Sequence, residues 1–147
     1  MTGKGGRMPD ARVAILGAAG ERAAAAPVID SVPAERCIDL VGGADLLTAY
    51  ACIERCGLYV GNDSGLMHLA AASGTPTLGL FGPSRDEHYA PWGERTAVVR
   101  TPESYDQILA SPGYDYRDQK SLMTSLSVDR VAEAVDDLLG PLADVRV

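Results

Sequence analysis

Apolar residues fall along this chain in short blocks whose period switches between two and about 3.6. Ala11-Arg12-Val13-Ala14-Ile15-Leu16 is a compact run ended by Gly17, and it reads as a buried strand. Gly17-Ala18-Ala19-Gly20-Glu21 then makes a tight turn. A helical stretch follows from Glu21, and Pro27 is expected to interrupt it. Cys37-Ile38-Asp39-Leu40-Val41 is a second strand, ended by Gly42-Gly43. Asp45 is placed to cap the next helix. In that helix Leu46, Ala49, Tyr50 and Ile53 recur at i, i+3, i+4 and i+7, which turns Leu46, Tyr50 and Ile53 toward a core, and Gly57 stops it. Leu58-Tyr59-Val60-Gly61 is a third strand. Residues 64–73 form a helix, with Gly74 past its end and Pro76 beyond. Thr77-Leu78-Gly79-Leu80-Phe81 and Thr96-Ala97-Val98-Val99-Arg100 are the fourth and fifth strands. Over residues 101–126 the pattern is lost, leaving an irregular segment with a helical turn and Tyr105, Tyr114 and Tyr116. Val128, Val131, Ala132, Val135, Leu138 and Leu139 mark a last amphipathic helix, capped by Ser127 and ended by Gly140-Pro141.

Short strands alternating with helices predict an α/β fold: a Rossmann-like parallel sheet with flanking helices. Such sheets take ligands at the carboxyl ends of their strands. That rule gathers four loops at one edge: residues 17–21, 42–44, 61–65 and 82–84. The length of 147 residues fits one domain over residues 11–147. Residues 1–10 are Gly-rich and polar, lack the apolar core of a signal peptide, and read as a flexible tail.

The formal charge of −7 removes the basic footprint of a nucleic-acid binder and disfavours an electrostatic membrane anchor. No apolar run is long enough to span a bilayer, so no direct membrane insertion is expected. An anionic ligand must then be held by local devices such as backbone amides. Cys37, Cys52 and Cys56 have no Cys or His partner at zinc-ligand spacing and read as small buried apolar residues suited to a reducing compartment.

Gly61-Asn62-Asp63-Ser64-Gly65-Leu66-Met67-His68 carries the most chemistry. A strand stops at Gly61 and a helix starts at Ser64, so Asp63 or Ser64 is expected to cap the helix with its side chain. Gly65 lets a ligand approach the backbone. The helix start offers free amides and partial positive charge, a phosphate site. His68 lies one turn on, on the same face, within reach of a group held there. The plainer alternative is an ordinary capped helix, with His68 a satisfied surface or core histidine.

This octet, with Leu69-Ala70-Ala71-Ala72, Gly74-Thr75-Pro76-Thr77 and Leu80-Phe81-Gly82-Pro83-Ser84, resembles the hallmark block of glycosyltransferase family 9, the ADP-heptose:lipopolysaccharide heptosyltransferases and relatives. Val13-Ala14-Ile15-Leu16-Gly17 with Glu21 is similar to the family's strand and Gly-x-x-x-Glu turn. Asp39-Leu40 with Gly42 and the helix from Leu46 also match. The resemblance implies a GT-B enzyme of two Rossmann-like domains, of which this chain is most of the carboxy-terminal one, the half that holds the nucleotide sugar. It implies that Asp63, Ser64, Gly65, Leu66 and His68 line the diphosphate and sugar. Glu21 would bond the ribose hydroxyls, unless it is only a first-turn helix glutamate. Gly42, Gly43 and Ala44 would lie beside the base.

The implied reaction is inverting transfer from a nucleotide sugar, ADP-heptose in the family, to a lipid-linked saccharide acceptor, in the cytoplasm at the inner face of the inner membrane. The acceptor domain and the first strand and helix of the nucleotide domain have no counterpart in the chain. The general base would lie in that acceptor domain, so no catalytic residue is assigned here. Lys4 is too near the first strand to replace the basic residue of the missing helix. No metal or other cofactor is implied, and no Asp-x-Asp pair is present. The alternative function is a non-catalytic nucleotide-binding or assembly module. An epimerase is disfavoured because it needs acid/base residues across the cleft.

Overall fold

The computed structural model describes Met8 and residues 10–112, 114–115 and 122–140. Most of the tail expected over residues 1–10, Lys4 included, lies outside them, as do Tyr116 and Pro141. The chain divides into two compact units, Met1–Cys52 and Ile53–Val147.

In the first unit, β1 (Val13–Ile15) pairs in parallel with β2 (Cys37–Asp39), Val13 opposite Cys37 and Ile15 opposite Asp39. Between them runs α1 (Arg22–Ser31). Pro27 was expected to interrupt this helix, but the helix continues through it to Ser31. The carbonyl that Pro27 cannot serve belongs to Ala23, and both residues are exposed, so water can satisfy it. After β2 comes α2 (Leu46–Glu54), which starts in the first unit and ends in the second. Asp45 caps it as expected, its Oδ1 accepting from Thr48 N at 2.8 Å. That bond holds the Asp45 carboxyl below the usual carboxylate range.

The face expected of α2 is only half right. Ala49 and Ile53 are buried, Ile53 at 1% exposure, and Tyr50 is half-buried. Leu46, however, is 64% exposed and Leu47 80%. Periodicity locates a stripe but not where its cover ends, and here the stripe begins one turn into the helix. Cys37, Cys52 and Cys56 are half-buried rather than buried, and none is in a disulfide.

The second unit carries a three-stranded parallel sheet in the order β3-β4-β5, made of β3 (Tyr59–Asn62), β4 (Thr77–Phe81) and β5 (Thr96–Arg100). Between β3 and β4 lies α3 (Gly65–Ala72), which packs on both. Gly74, at φ +78°, takes the left-handed position after α3, its N–H bonded to Ala71 O. Between β4 and β5 is the short α4 (Asp86–Tyr89). The core gathers Met67, Ala70, Leu78, Phe81, Val99 and Val135, with Thr75 and Thr77 buried among them. Both threonines are satisfied: Thr75 Oγ1 donates to Ile53 O at 2.9 Å and Thr77 Oγ1 to Thr75 O at 2.7 Å.

Register sets two glycines side by side, Gly61 opposite Gly79. A Cβ at Gly79 would lie 2.7 Å from Met67 Sδ and 2.9 Å from a Phe81 ring carbon. The helix can therefore seat Met67 on β4 only because position 79 has no side chain. The segment expected to be irregular holds α5 (Tyr105–Leu109), started by a capping box: Ser104 Oγ accepts from Gln107 N, and Gln107 Oε1 accepts from Ser104 N. Farther on, Ser125 Oγ donates to Glu103 Oε2. Last comes α6 (Val128–Leu139), capped by Ser127, lying on β5 and β4 and followed by Gly140.

These contacts rank the substitutions. Ile53→Ala is expected to cost about 2–5 kcal/mol and Gly79→Ala about 1–3 kcal/mol, the first by a cavity and the second by overpacking. Leu46→Ala should change stability by less than about 0.5 kcal/mol. Urea titrations of the three variants measure this order, and a Leu46→Ala loss matching Ile53→Ala would contradict it.

Candidate functional site

The residues singled out in the sequence fall into two groups, one in each unit. In the first unit the turn after β1 and the turn after β2 touch. Gly42 N donates to Gly17 O at 2.9 Å. Gly42 has φ +72°, and a Cβ there would come within 2.9 Å of Ala19, so only glycine lets the two turns close on each other. Glu21 follows on the first turn. Its Oε2 accepts from Ala18 N at 2.6 Å, which ties the turn on itself. The structural role weighed for Glu21 is therefore present, and it uses one of the two carboxylate oxygens. The Glu21 side chain is exposed. Gly43 and Ala44 continue from Gly42, Gly43 N bonding back to Leu40 O.

Arg22 sits beside Glu21 at the head of α1. One arm of its guanidinium pairs with Asp39 Oδ2, and the other donates to Val41 O at 2.6 Å. Asp39 Oδ1 accepts from Val41 N at 3.0 Å. The Arg22 guanidinium, and then the Val41 N–H, hold the Asp39 carboxyl below the usual carboxylate range.

In the second unit Asp63, Ser64, Gly65, Leu66 and His68 all lie at the start of α3, just past the carboxyl end of β3. Ser64 is the N-cap by position, in extended backbone, but its side chain makes no capping bond. This corrects the expectation that Asp63 or Ser64 would cap the helix with a side chain. Tyr59, two residues before Gly61 on β3, bears on the same serine. Burial raises the Tyr59 hydroxyl above the ordinary tyrosine pKa of 10.0, and hydrogen bonding with the Ser64 side chain pulls it the other way. The phenol lies along the strand across Gly61, where a Cβ would overlap its hydroxyl. Tyr59 and Gly61 share a strand face at i and i+2, and that spacing was the available signal for a residue the sequence reading left out.

The Ser64 carbonyl takes Met67 N at 3.1 Å, while the Gly65 and Leu66 amides, at the first two helical positions, have no helical acceptor. A Cβ at Gly65 would meet nothing within 4 Å. His68 Nε2 lies 4.0 Å from Asp63 Oδ1, which brings the two side chains together beside the helix start. The start of α3 thus presents two free N–H donors, the positive end of a helix dipole and one imidazole, a set suited to an anion.

The loop after β4 is differently made. Gly82 is buried, and a Cβ there would lie 2.7 Å from Met123 Cγ. Arg100 pairs with Asp86 and donates to Gly82 O at 3.2 Å. Arg85 pairs with Asp106 at 2.7 Å and lies 4.4 Å from the Tyr105 ring centre. The two arginines fasten the loop within its unit. Among the described residues no group of three or more His, Cys, Asp or Glu side chains could hold a metal ion. Among them, too, no helix is long and apolar enough to cross a membrane.

Residues 9–111 match the sequence profile of Glycosyltransferase family 9 (heptosyltransferase). The chain is 31% identical over 134 residues to lipopolysaccharide heptosyltransferase 2 of Escherichia coli, covering 87% of this chain and 37% of that protein. It is 33% identical over 91 residues to lipooligosaccharide heptosyltransferase 2 of Haemophilus influenzae, covering 60% of this chain and 26% of the relative. Among solved structures, it is similar to glycosyl transferase family 9 from Veillonella parvula, with a TM-score of 0.72 and 27% identity over 87% of this chain and 36% of that one. The E. coli ADP-heptose LPS heptosyltransferase II structure gives a TM-score of 0.68 and 29% identity over the same shares. The chain spans between a quarter and two fifths of the length of these relatives.

The Tyr59 environment sets a pH dependence. A hydroxyl whose folded pKa is raised keeps its proton longer in the folded chain than in the unfolded one. Its contribution to stability is full below the ordinary tyrosine value of 10.0 and is lost as pH rises through the folded pKa. Urea unfolding across pH 9–12 should show this alkaline loss, and Tyr59→Phe should shrink it. An identical alkaline slope in the variant would contradict the buried position of the phenol.

Proposed function

From the premise that this chain belongs to glycosyltransferase family 9, we propose that it holds a nucleoside-diphosphate sugar of the ADP-heptose kind for transfer to a lipopolysaccharide-type acceptor. The observation that carries this reading is the start of α3, where the Ser64 side chain makes no capping bond and the Gly65 and Leu66 amides have no helical partner. In this reading the diphosphate sits on those amides, with Asp63, Ser64, Leu66 and His68 around it and the sugar. Glu21 takes the ribose through the carboxylate oxygen that Ala18 does not use, and Gly42, Gly43 and Ala44 border the base.

The chemistry follows from charge. When the sugar leaves, negative charge grows on the departing diphosphate. Fixed amides and a helix dipole stabilise that charge without reorganising, which is how they lower a barrier. His68, when protonated, adds a donor. This accounts for the departing side of the reaction within the chain's own residues. Transfer also needs a base for the acceptor hydroxyl and a pocket to orient it. In this reading neither is assigned among these 147 residues, which hold the donor and do not by themselves turn it over.

Gly65 separates ligand binding from ordinary helix capping. Because a Cβ there meets no protein atom within 4 Å, Gly65→Ala should leave stability unchanged or slightly raised. Its methyl would stand where the diphosphate approaches the backbone, so ADP affinity should fall at least about tenfold, or 1.4 kcal/mol. Calorimetry on the unmodified chain should show ADP binding in roughly the high micromolar range and adenosine binding more weakly. Equal affinities for ADP and adenosine, or full ADP affinity in Gly65→Ala, would overturn the phosphate site.

A second measurement addresses turnover. The chain alone should give no sugar transfer from ADP-heptose to a lipopolysaccharide-core acceptor. Joined to an amino-terminal domain from a relative it should recover activity, which Asp63→Ala should then reduce. Robust transfer by the chain alone would mean that a base and an acceptor pocket lie within it.

A further inference from the structure

The Arg22 fork has no part in the donor chemistry described so far, yet it joins the two turns that carry Glu21 and Gly42. Arg22 is chemically attached to Glu21, at the head of α1. Its two arms reach the end of β2, one to the Asp39 carboxylate and one to the Val41 carbonyl. Asp39 turns its other oxygen to Val41 N, so residues 39–41 are gripped at three points. Immediately beyond, Gly42 N bonds to Gly17 O, and Gly42 rests on Ala19. Glu21 Oε2 then closes back on Ala18 N. These contacts form a closed ring: Arg22 to Asp39 and Val41, Gly42 to Gly17 and Ala19, Ala18 to Glu21, and Glu21 to Arg22 by the chain. A planar guanidinium that makes two directed bonds is suited to fixing orientation, where a lysine would supply only a point charge.

We propose that Arg22 and Asp39 are positioning residues, which lock the turn after β1 to the turn after β2 and so fix where the Glu21 carboxylate meets the ribose of the nucleotide. The proposal rests on the ribose reading of Glu21 given above. Neither residue touches the ligand, and both act through Glu21. A residue that merely stabilised the fold would weaken all nucleotides alike. A residue that aims Glu21 affects only the recognition of ribose hydroxyls.

The test compares ADP with 2′,3′-dideoxy-ADP on the full chain and on Glu21→Ala, Asp39→Asn and Arg22→Ala. The near-isosteric Asp39→Asn is included because it keeps volume while removing the charge that pairs with Arg22. The unmodified chain should prefer ADP by at least about tenfold, as expected for hydrogen bonds to a charged acceptor. Glu21→Ala should abolish that preference, and Asp39→Asn and Arg22→Ala should each cut it to about threefold or less, with dideoxy-ADP affinity nearly unchanged. Preference lost in Glu21→Ala but intact in both Asp39→Asn and Arg22→Ala would overturn the proposal.

A second readout needs no ligand. Hydrogen exchange at the Ala18 amide, held by Glu21, should speed up in Asp39→Asn and Arg22→Ala. Unchanged Ala18 protection in both would overturn the proposal whatever the nucleotides do. Faster Ala18 exchange in a chain that never discriminates ADP from its dideoxy form would support the lock and overturn the ribose reading.

Discussion

The close approach of α3 to the sheet governs the second unit. Met67 is fully buried at the point where Gly79 has no side chain, and the methionine fills the space that any Cβ would take. This contact sets how near the helix axis lies to β4, and therefore where the first turn of the helix emerges above the end of β3. Asp63, Ser64, Gly65 and His68 occupy that first turn or its edge. Interiors pack to crystal-like density, so a shift at Met67 would pass to the site rather than be absorbed.

The donor-binding reading depends on a local hydrogen-bond preference as much as on the packing. A serine at an N-cap ordinarily turns its hydroxyl to the third helical amide. Here Ser64 makes no such bond, and the ring of Tyr59 crosses the bare α-carbon of Gly61. The two glycines opposite each other in β3 and β4 thus have different jobs. Gly79 admits a side chain from the helix above, and Gly61 admits one from its own strand.

Much of the fold was legible because it is written in short-range patterns. The strands at Val13, Cys37, Tyr59, Thr77 and Thr96, the Asp45 and Ser127 caps and the glycine after α3 each follow from a few neighbouring residues. The misreadings concern what periodicity leaves open. Leu46 fits a helical stripe, yet the cover over that stripe stops short of it. Pro27 lies within α1 without ending it, at an exposed position where water can take the carbonyl it leaves unbonded. The Ser104 capping box was present in the sequence as Ser-x-x-Gln but was hidden in a stretch without apolar rhythm. The grouping of Asp63, Ser64, Gly65, Leu66 and His68 was readable because all lie within six residues. Tyr59 and the Arg22–Asp39 pair were not, since their roles arise from contacts across a bare glycine in one case and across seventeen residues in the other.

A helix that starts without its serine cap begins with a deficit, because its first two amides have no helical acceptor and no side chain of the cap residue replaces one. An anion that sits on them takes over the work of the missing cap. Occupancy and resistance to unfolding are then linked: a ligand that binds only the folded chain raises the free energy of unfolding with its concentration. The first turn of α3 would be the part that tightens most on filling, since it is the part left unfinished when empty. A filled turn would therefore also slow proteolysis, because cleavage follows the population of the opened chain.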